Sequence, residues 1–304
     1  MSTKIEWCDA TWSPVIGCSK VSDGCKNCYA EKMAARLASM ECSNKKTLKM
    51  PRHYIDVVKM WHDPKTGKTY FKEWNGKTAF VESALGKPLH WKKPRMIFVC
   101  SMSDLFHESV PFEQIDKIMA VMALCPQHTF QILTKRPERM AEYFCGLRDD
   151  VKQAQRLSFG GCCLDHKHGI ALAYRRGMSL PNLWLGVTIE HPDYKDRMDI
   201  LRQIPAAKRF ISIEPCLADM GDLNLEGLDW VIVGAESGPK SRTCKLEWVR
   251  SIVQQCKDAG VPVFVKQIHI WDSAKKKHKL IKDINQFPED LRIREYPKGG
   301  VKNE

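Results

Sequence analysis

Cys18, Cys25 and Cys28 stand together in the segment GCSKVSDGCKNCYAEKM, residues 17–33, and a helical pattern begins directly behind them. In a reducing compartment a cluster this tight reads as ligands or reactive thiols. Three thiolates suit a 4Fe–4S cluster, which needs four ligands and so keeps one iron open to an external molecule. S-adenosylmethionine can fill that position through its amino and carboxylate groups, and an electron from the cluster then cleaves it to a 5′-deoxyadenosyl radical. The competing expectation is a closed tetrahedral zinc site with Cys8 or a histidine as fourth ligand; a site without metal is the third. Asn27 reads as an N-cap, with Tyr29, Met33 and Leu37 following on one helix face. Cys25 and Cys28 then sit at a helix N-terminus, where the dipole favours thiolate. Gly17 and Gly24 give the chain the freedom to wrap a compact cofactor.

Those cysteines need a frame. Short apolar runs recur along the chain: RMIFVCSMSD (95–104), TFQILTKRP (129–137), NLWLGVTIE (182–190), RFISIEP (209–215), DWVIVGAESG (229–238) and VPVFVKQ (261–267). Each is continuously apolar, as parallel strands covered on two faces are. Amphipathic segments at 112–124, 194–204 and 245–259 lie between them. Strand alternating with helix implies right-handed βαβ units. With SPVIG (13–17) as a first strand, the fold class is α/β, a full or partial (β/α) barrel of six to seven parallel strands. Residues 1–304 form a single domain in this reading, with insertions at 41–94 (a hairpin) and 148–181 and a polar C-terminal extension from 272.

Polar residues appear where each apolar run stops, which in a barrel is the ring around the active-site mouth. They are Ser103 and Asp104, Thr134, Lys135 and Arg136, Thr188 and Glu190, Ser212 and Glu214, Glu236 and Ser237, and Lys266 and Gln267. Glu190, Glu214, Glu236 and Ser237 have the chemistry to receive the ammonium or hydroxyls of S-adenosylmethionine. Lys135, Arg136 and Lys266 suit a phosphate, and Ser103, Asp104 and Gln267 complete a substrate set. The competing reading pairs the carboxylates with these bases across the mouth. Cys162, Cys163, His166 and His168 in CCLDHKH form either a polar loop or a zinc site. Trp61, Trp74 and Trp91 in the first insertion either stack on bases or pack.

Composition bounds the partners. Lys and Arg number 48 against 36 Asp and Glu, a formal net charge of +12, which points to a nucleic acid or nucleotide. The chain has 13 cysteines; Cys100, Cys125, Cys216 and Cys256 fall within apolar patterns and read as core. The N-terminus lacks a secretory signal and no stretch has the length to span a bilayer, so a cytoplasmic protein without membrane partners is expected.

WSPVIGCSKVSDGCKNCYAEKMA, FVCSMSDLFHESVP, FQILTKRPERM, NLWLGVTIE, RFISIEP, DWVIVGAESGP, VFVKQ and FPEDLRIREYP, in that order, resemble the phage-encoded three-cysteine-motif family, a domain of unknown function similar to radical S-adenosylmethionine proteins. The resemblance runs over nearly the whole chain. It implies a phage or prophage gene expressed in a host cytoplasm, a barrel, a 4Fe–4S cluster on the three cysteines, S-adenosylmethionine, and an electron donor. The spacing here is C-x6-C-x2-C, where radical S-adenosylmethionine enzymes mostly carry C-x3-C-x2-C with an aromatic before the last cysteine. Asn27 precedes that cysteine here, Tyr29 follows it, and Ile268 and His269 stand where the family has glycine and tryptophan after Lys-Gln.

Overall fold

A computed structural model gives the chain's structure and describes residues 3, 5–43, 53–145, 180–274 and 276–299. Ala10–Trp12 (β1) is the first strand of the main sheet, ahead of the expected SPVIG segment. Pro14 has no N–H for a ladder, so Val15–Ile16 (β2) leaves the sheet, and Gly17, at φ +90°, turns the chain toward the cysteines. Tyr29–Ser43 (α1) follows, then the hairpin Val58–His62 (β3) and Thr69–Trp74 (β4), Ala79–Phe80 (β5, paired with β2) and the short helix Glu82–Leu85 (α2). From there strand and helix alternate: Met96–Val99 (β6), Phe112–Ala123 (α3), Thr129–Thr134 (β7), Pro137–Cys145 (α4), Leu183–Thr188 (β8), Asp196–Gln203 (α5), Lys208–Ile213 (β9), Trp230–Gly234 (β10), Leu246–Ala259 (α6), Val263–Asp272 (β11) and Lys277–Ile281 (β12). The insertion expected at 148–181 lies, up to residue 179, outside the described residues, and with it Cys162, Cys163, His166 and His168.

The eight-stranded sheet runs in the order β1-β6-β7-β8-β9-β10-β11-β12, parallel throughout except for the β11–β12 pair. It is an open sheet and not a closed barrel. The reason lies at β11, whose free edge is already taken. β12 folds back along its second half, and Val265 and Glu295 N–H groups bond Ile293 and Val263 carbonyls along its first half. β1 therefore finds no edge to close on. The polar extension expected from 272 is this same edge cover.

The sheet curls around its inner face. Trp7 has its ring centroid 4.7 Å from Phe98 on β6, 6.5 Å from Phe210 on β9 and 6.2 Å from Trp230 on β10. In a flat sheet β6 and β10 stand four spacings of about 4.8 Å apart, so one indole meets both only across a concave surface. Met96, Trp184, Ile232 and Phe264 complete this aromatic cluster, and Tyr296 from the C-terminal segment packs against it. The outer face is aliphatic: Ile97, Ile132, Leu185, Ile211, Val231 and Val265 bury under Ile115, Met119 and Met122 of α3, Leu201 of α5 and Val249, Ile252 and Val253 of α6. Helix boundaries match the apolar spacing closely here. In α1 they do not. Its buried face is Ala30, Ala34 and Ala38, while Tyr29 and Met33 are exposed. Small side chains let α1 lie close on the β3–β4 hairpin, where Glu31 accepts the Trp74 N–H at 3.1 Å.

Gly186 sits where the Phe210 ring crosses β8; a Cβ there would stand 2.5 Å from the ring. Gly186→Ala should cost about 1–3 kcal/mol of stability through overpacking, measured as a fall in urea midpoint at constant slope. Phe210→Leu in the same chain should restore part of that loss, which separates a steric conflict from a backbone effect.

Candidate functional site

One cavity of about 230 Å³ opens at the C-terminal ends of the parallel strands. Cys18, Cys25 and Cys28 line it, together with Ser103, Asp104, Lys135, Arg136, Glu214, Glu236, Ser237 and Lys266. Its floor is apolar, from Trp7, Phe98 and Leu133, and the Trp7 indole N–H has no hydrogen-bond partner among the described residues. Two of the expected residues stand behind the wall. Glu190 is fully buried and Gln267 is 1% exposed, bonding the Ala235 carbonyl through its amide.

The cysteine segment, residues 18–28, carries one 3-10 turn, Asp23–Cys25. Its path is fixed by three charged groups at strand ends. At the first, Arg136 after β7 pairs with Asp104 at 3.1 Å and Glu108 at 2.7 Å, and its Nη2 donates to Ser19 Oγ at 2.7 Å and Ser19 O at 3.3 Å. Its Nη1 lies 3.9 Å from Cys18 Sγ. His107 supports the same serine. Burial first, then Arg136, holds its imidazole below the ordinary value. Its Nδ1 accepts the Ser109 N–H at 3.1 Å, so Nε2–H donates to Ser19 Oγ at 2.9 Å.

The second centre is Glu190 after β8. It accepts from Ser22 Oγ, from the Gly24 N–H at 3.2 Å, from Lys135 at 3.1 Å and from Arg197 of α5 at 3.1 Å. Burial pushes its carboxyl up, but Lys135, Ser22 and Arg197 outweigh it and hold it below the usual range. Gly24 lies directly on this pair; a Cβ would come within 2.6 Å of Lys135 Nζ and 2.7 Å of Glu190 Oε1. The third centre is Glu236 after β10. It is gripped by the Arg242 guanidinium and backbone N–H, and accepts Asn27 Nδ2 at 3.0 Å. Arg242 Nη1 also donates to Asp23 O at 3.0 Å. Asn27 is thus a tether between loop and sheet. Cys28 occupies the position before α1 that Asn27 was expected to hold.

The thiols themselves are half-buried. Desolvation, then Asp104, pushes Cys18 up to about 12, with Arg136 pulling the other way and Cys28 and Cys25 adding to the rise. Desolvation also raises Cys28, and the Glu31 and Ala30 N–H groups at the helix start offset only part of it. The expected dipole effect is present at Cys28 and loses to burial. Metal ions displace thiol protons when they bind, so Cys18 and Cys28 would serve as ligands only with protons released. Among the described residues no three His, Cys, Asp or Glu side chains are gathered as the ligands of a single ion would be. Cys8 does not line the cavity; it packs with the aromatic cluster, its Sγ 3.7 Å from the Ile5 carbonyl.

The fourth centre, Glu214 after β9, faces the cavity beside Ser212 and Ser237. Lys266 pairs with it at 2.6 Å, and Gln267 reaches it at 3.5 Å. Two consecutive β11 residues converge on one carboxylate because the β10–β11 register shifts between Val233 and Gly234. Pairing between strand-end acids and bases, one of the two sequence expectations, therefore describes three of the four centres; Glu236 pairs instead with Arg242, beyond the strand end. Ser19, Ser22, Arg197 and Arg242 had no sequence signal for their roles: 168 residues separate Ser22 from Glu190, and Arg197 and Arg242 meet acids only 7 and 6 residues away without standing at a strand end themselves. Trp74 lines the cavity, Trp91 packs on His128, and Trp61 is exposed. No helix among the described residues is long and apolar enough to cross a membrane.

A family model described as a protein of unknown function (DUF5131) matches residues 2–289. No curated protein and no solved structure matches the chain.

Glu190→Gln leaves Lys135 and Arg197 without their counter-charge and should cost roughly 3–5 kcal/mol. The sign with pH follows from the lowered carboxyl. Its stabilisation is fully present above the unfolded pKa of about 4.3 and is lost as pH falls through the lower folded value. Chemical denaturation from pH 6 to pH 3 should therefore show a steeper acid loss in the parent chain than in Glu190→Gln.

Proposed function

We propose that this chain, which belongs to the DUF5131 family, is an iron–sulfur enzyme of the radical S-adenosylmethionine type that modifies or repairs a nucleic-acid base or nucleotide. The observation that carries this reading is the convergence of Cys18, Cys25 and Cys28 with the parallel strand ends on a single cavity. The likeness to the three-cysteine-motif family points the same way, and the net charge of +12 supports a polyanionic substrate. Three thiolates match the protein ligands of a cluster with one open iron, whereas a closed zinc site needs a fourth ligand, and Cys8 does not line the cavity.

When bound, a cluster on Cys18, Cys25 and Cys28 would keep one iron open to S-adenosylmethionine and supply the electron, received from an external donor, for reductive cleavage of its sulfonium. The chain's own residues do the rest. Arg136 sets a guanidinium beside Cys18, where it offsets negative charge gathered on the sulfurs. Glu214, with Ser212 and Ser237, presents acceptors toward the cavity for an ammonium or ribose hydroxyls. Of the carboxylates with this chemistry, Glu214 is the best placed: its cation, Lys266, lines the cavity with it, whereas Glu190 and Glu236 are spent on the cysteine loop. Trp7, Phe98 and Leu133 keep the cavity floor dry, which strengthens each of these charge interactions.

Anaerobically reconstituted protein should be brown, hold about four iron atoms, and release 5′-deoxyadenosine from S-adenosylmethionine on addition of dithionite. Ala in place of any one of Cys18, Cys25 or Cys28 should abolish iron loading while circular dichroism reports an intact fold; Cys8→Ala should load fully. Colourless protein holding one zinc would replace this reading with a structural metal in a non-catalytic nucleic-acid-binding protein. Glu214→Gln should keep the iron but weaken S-adenosylmethionine binding by about 5- to 150-fold, the difference between charge-assisted and neutral hydrogen bonds. The electron paramagnetic resonance of the reduced cluster during titration reads that loss.

A further inference from the structure

The cations that line the cavity are already engaged: Lys135, Arg136 and Lys266 each pair with a carboxylate. A polyanion therefore needs other positive charge, and the fold supplies it nearby. Parallel pairing of β11 ends at Gln267 opposite Gly234, beside cavity-lining Lys266. β11 then runs on from Ile268 to Asp272, about 16 Å at 3.3 Å per residue, before β12 returns antiparallel. The overhang leaves the sheet at the end where the cavity opens.

This hairpin is basic and carries one aromatic ring in water. Lys276, Lys277 and Lys279 are exposed, against a single acidic residue among the described residues of the hairpin, Asp272. Trp271 is 54% exposed, whereas Trp12 and Trp230 are buried. The His278 ring meets it edge-on at 5.1 Å, bracing the indole while leaving ring surface in solvent. An exposed flat ring among lysines is what a stacked base and its flanking phosphates require, and only an unpaired strand offers a free base face.

We propose that the β11–β12 hairpin grips a single nucleic-acid strand continuous with the nucleotide that enters the cavity. Trp271 stacks on a base, and Lys276, Lys277 and Lys279 neutralise phosphates. The inference rests on the reading of the substrate as nucleic acid.

Fluorescence anisotropy with labelled oligothymidylate of about 15 nucleotides tests it on the full chain. Trp271→Ala should weaken binding by roughly 5- to 150-fold, the usual cost of one lost base stack, and Trp271→Phe should recover most of it. Lys277→Gln with Lys279→Gln should flatten the salt dependence by about 1.4 in log–log slope. Wild-type affinity in Trp271→Ala overturns the proposal. So does an equal loss in Trp61→Ala, on the other hairpin, or displacement by polyglutamate as readily as by unlabelled oligonucleotide, which would mark an acidic protein as the partner. Iron loading and 5′-deoxyadenosine release, read on the same samples, keep the two readings apart. A chain that binds through Trp271 but holds no iron sinks the enzyme and leaves the grip; one that cleaves S-adenosylmethionine yet ignores the oligonucleotide sinks the grip alone.

Discussion

The contact between Glu190 and the Gly24 backbone is the constraint on which the site depends. The cysteine loop has no ladder of its own, so its shape must come from the sheet. Glu190 supplies it from beneath, with Lys135 and Arg197 balancing its charge, and the Arg136 and Glu236 centres hold the two ends of the loop. Buried ion pairs add little net stability, because desolvation consumes most of the attraction. Their effect is geometric. Each centre offers several short, directional bonds, and together they hold three flexible thiol-bearing residues against one wall of a cavity.

The parallel frame was legible for a physical reason. A strand covered on two faces is apolar at every position, and five of the expected runs, from 95 to 238, became β6 to β10, starting within one residue of expectation and stopping two to five residues short; the sixth became β11, which runs on to Asp272. Helices with bulky apolar stripes were equally plain. What failed were features that no local pattern encodes. Closure of the sheet turned on which segment takes the β11 edge. The buried face of α1 turned on alanines, which carry little hydrophobic signal. The strand-end residues could be found, because apolar runs stop there, but not their division of labour. Ion pairing and ligand binding ask for the same residue types, and no local pattern says which acid meets which base: Glu190 takes Lys135 from 55 residues away, and Glu236 takes Arg242 from 6.

Cys28 shows how two local effects compete at one atom. The first turn of α1 aims N–H groups at its sulfur, and the surrounding protein removes the water that a thiolate would need. Desolvation wins, and Cys28, like Cys18, stands above the ordinary thiol value. A metal changes that balance with its own charge, and proton release is then part of loading.

The order of residues along the chain also sets a schedule. During synthesis the thiols emerge first and their anchors last: Arg242 follows Asp23 by 219 residues. At ribosomal speeds of 5–20 residues per second, that interval is roughly 10–45 s. Through it the nascent chain carries three unshielded thiols with no cavity to hold them. On the proposed reading, cofactor insertion is a late event, timed by the arrival of the Glu236–Arg242 pair, and a cell that makes this protein must keep those sulfurs reduced until then.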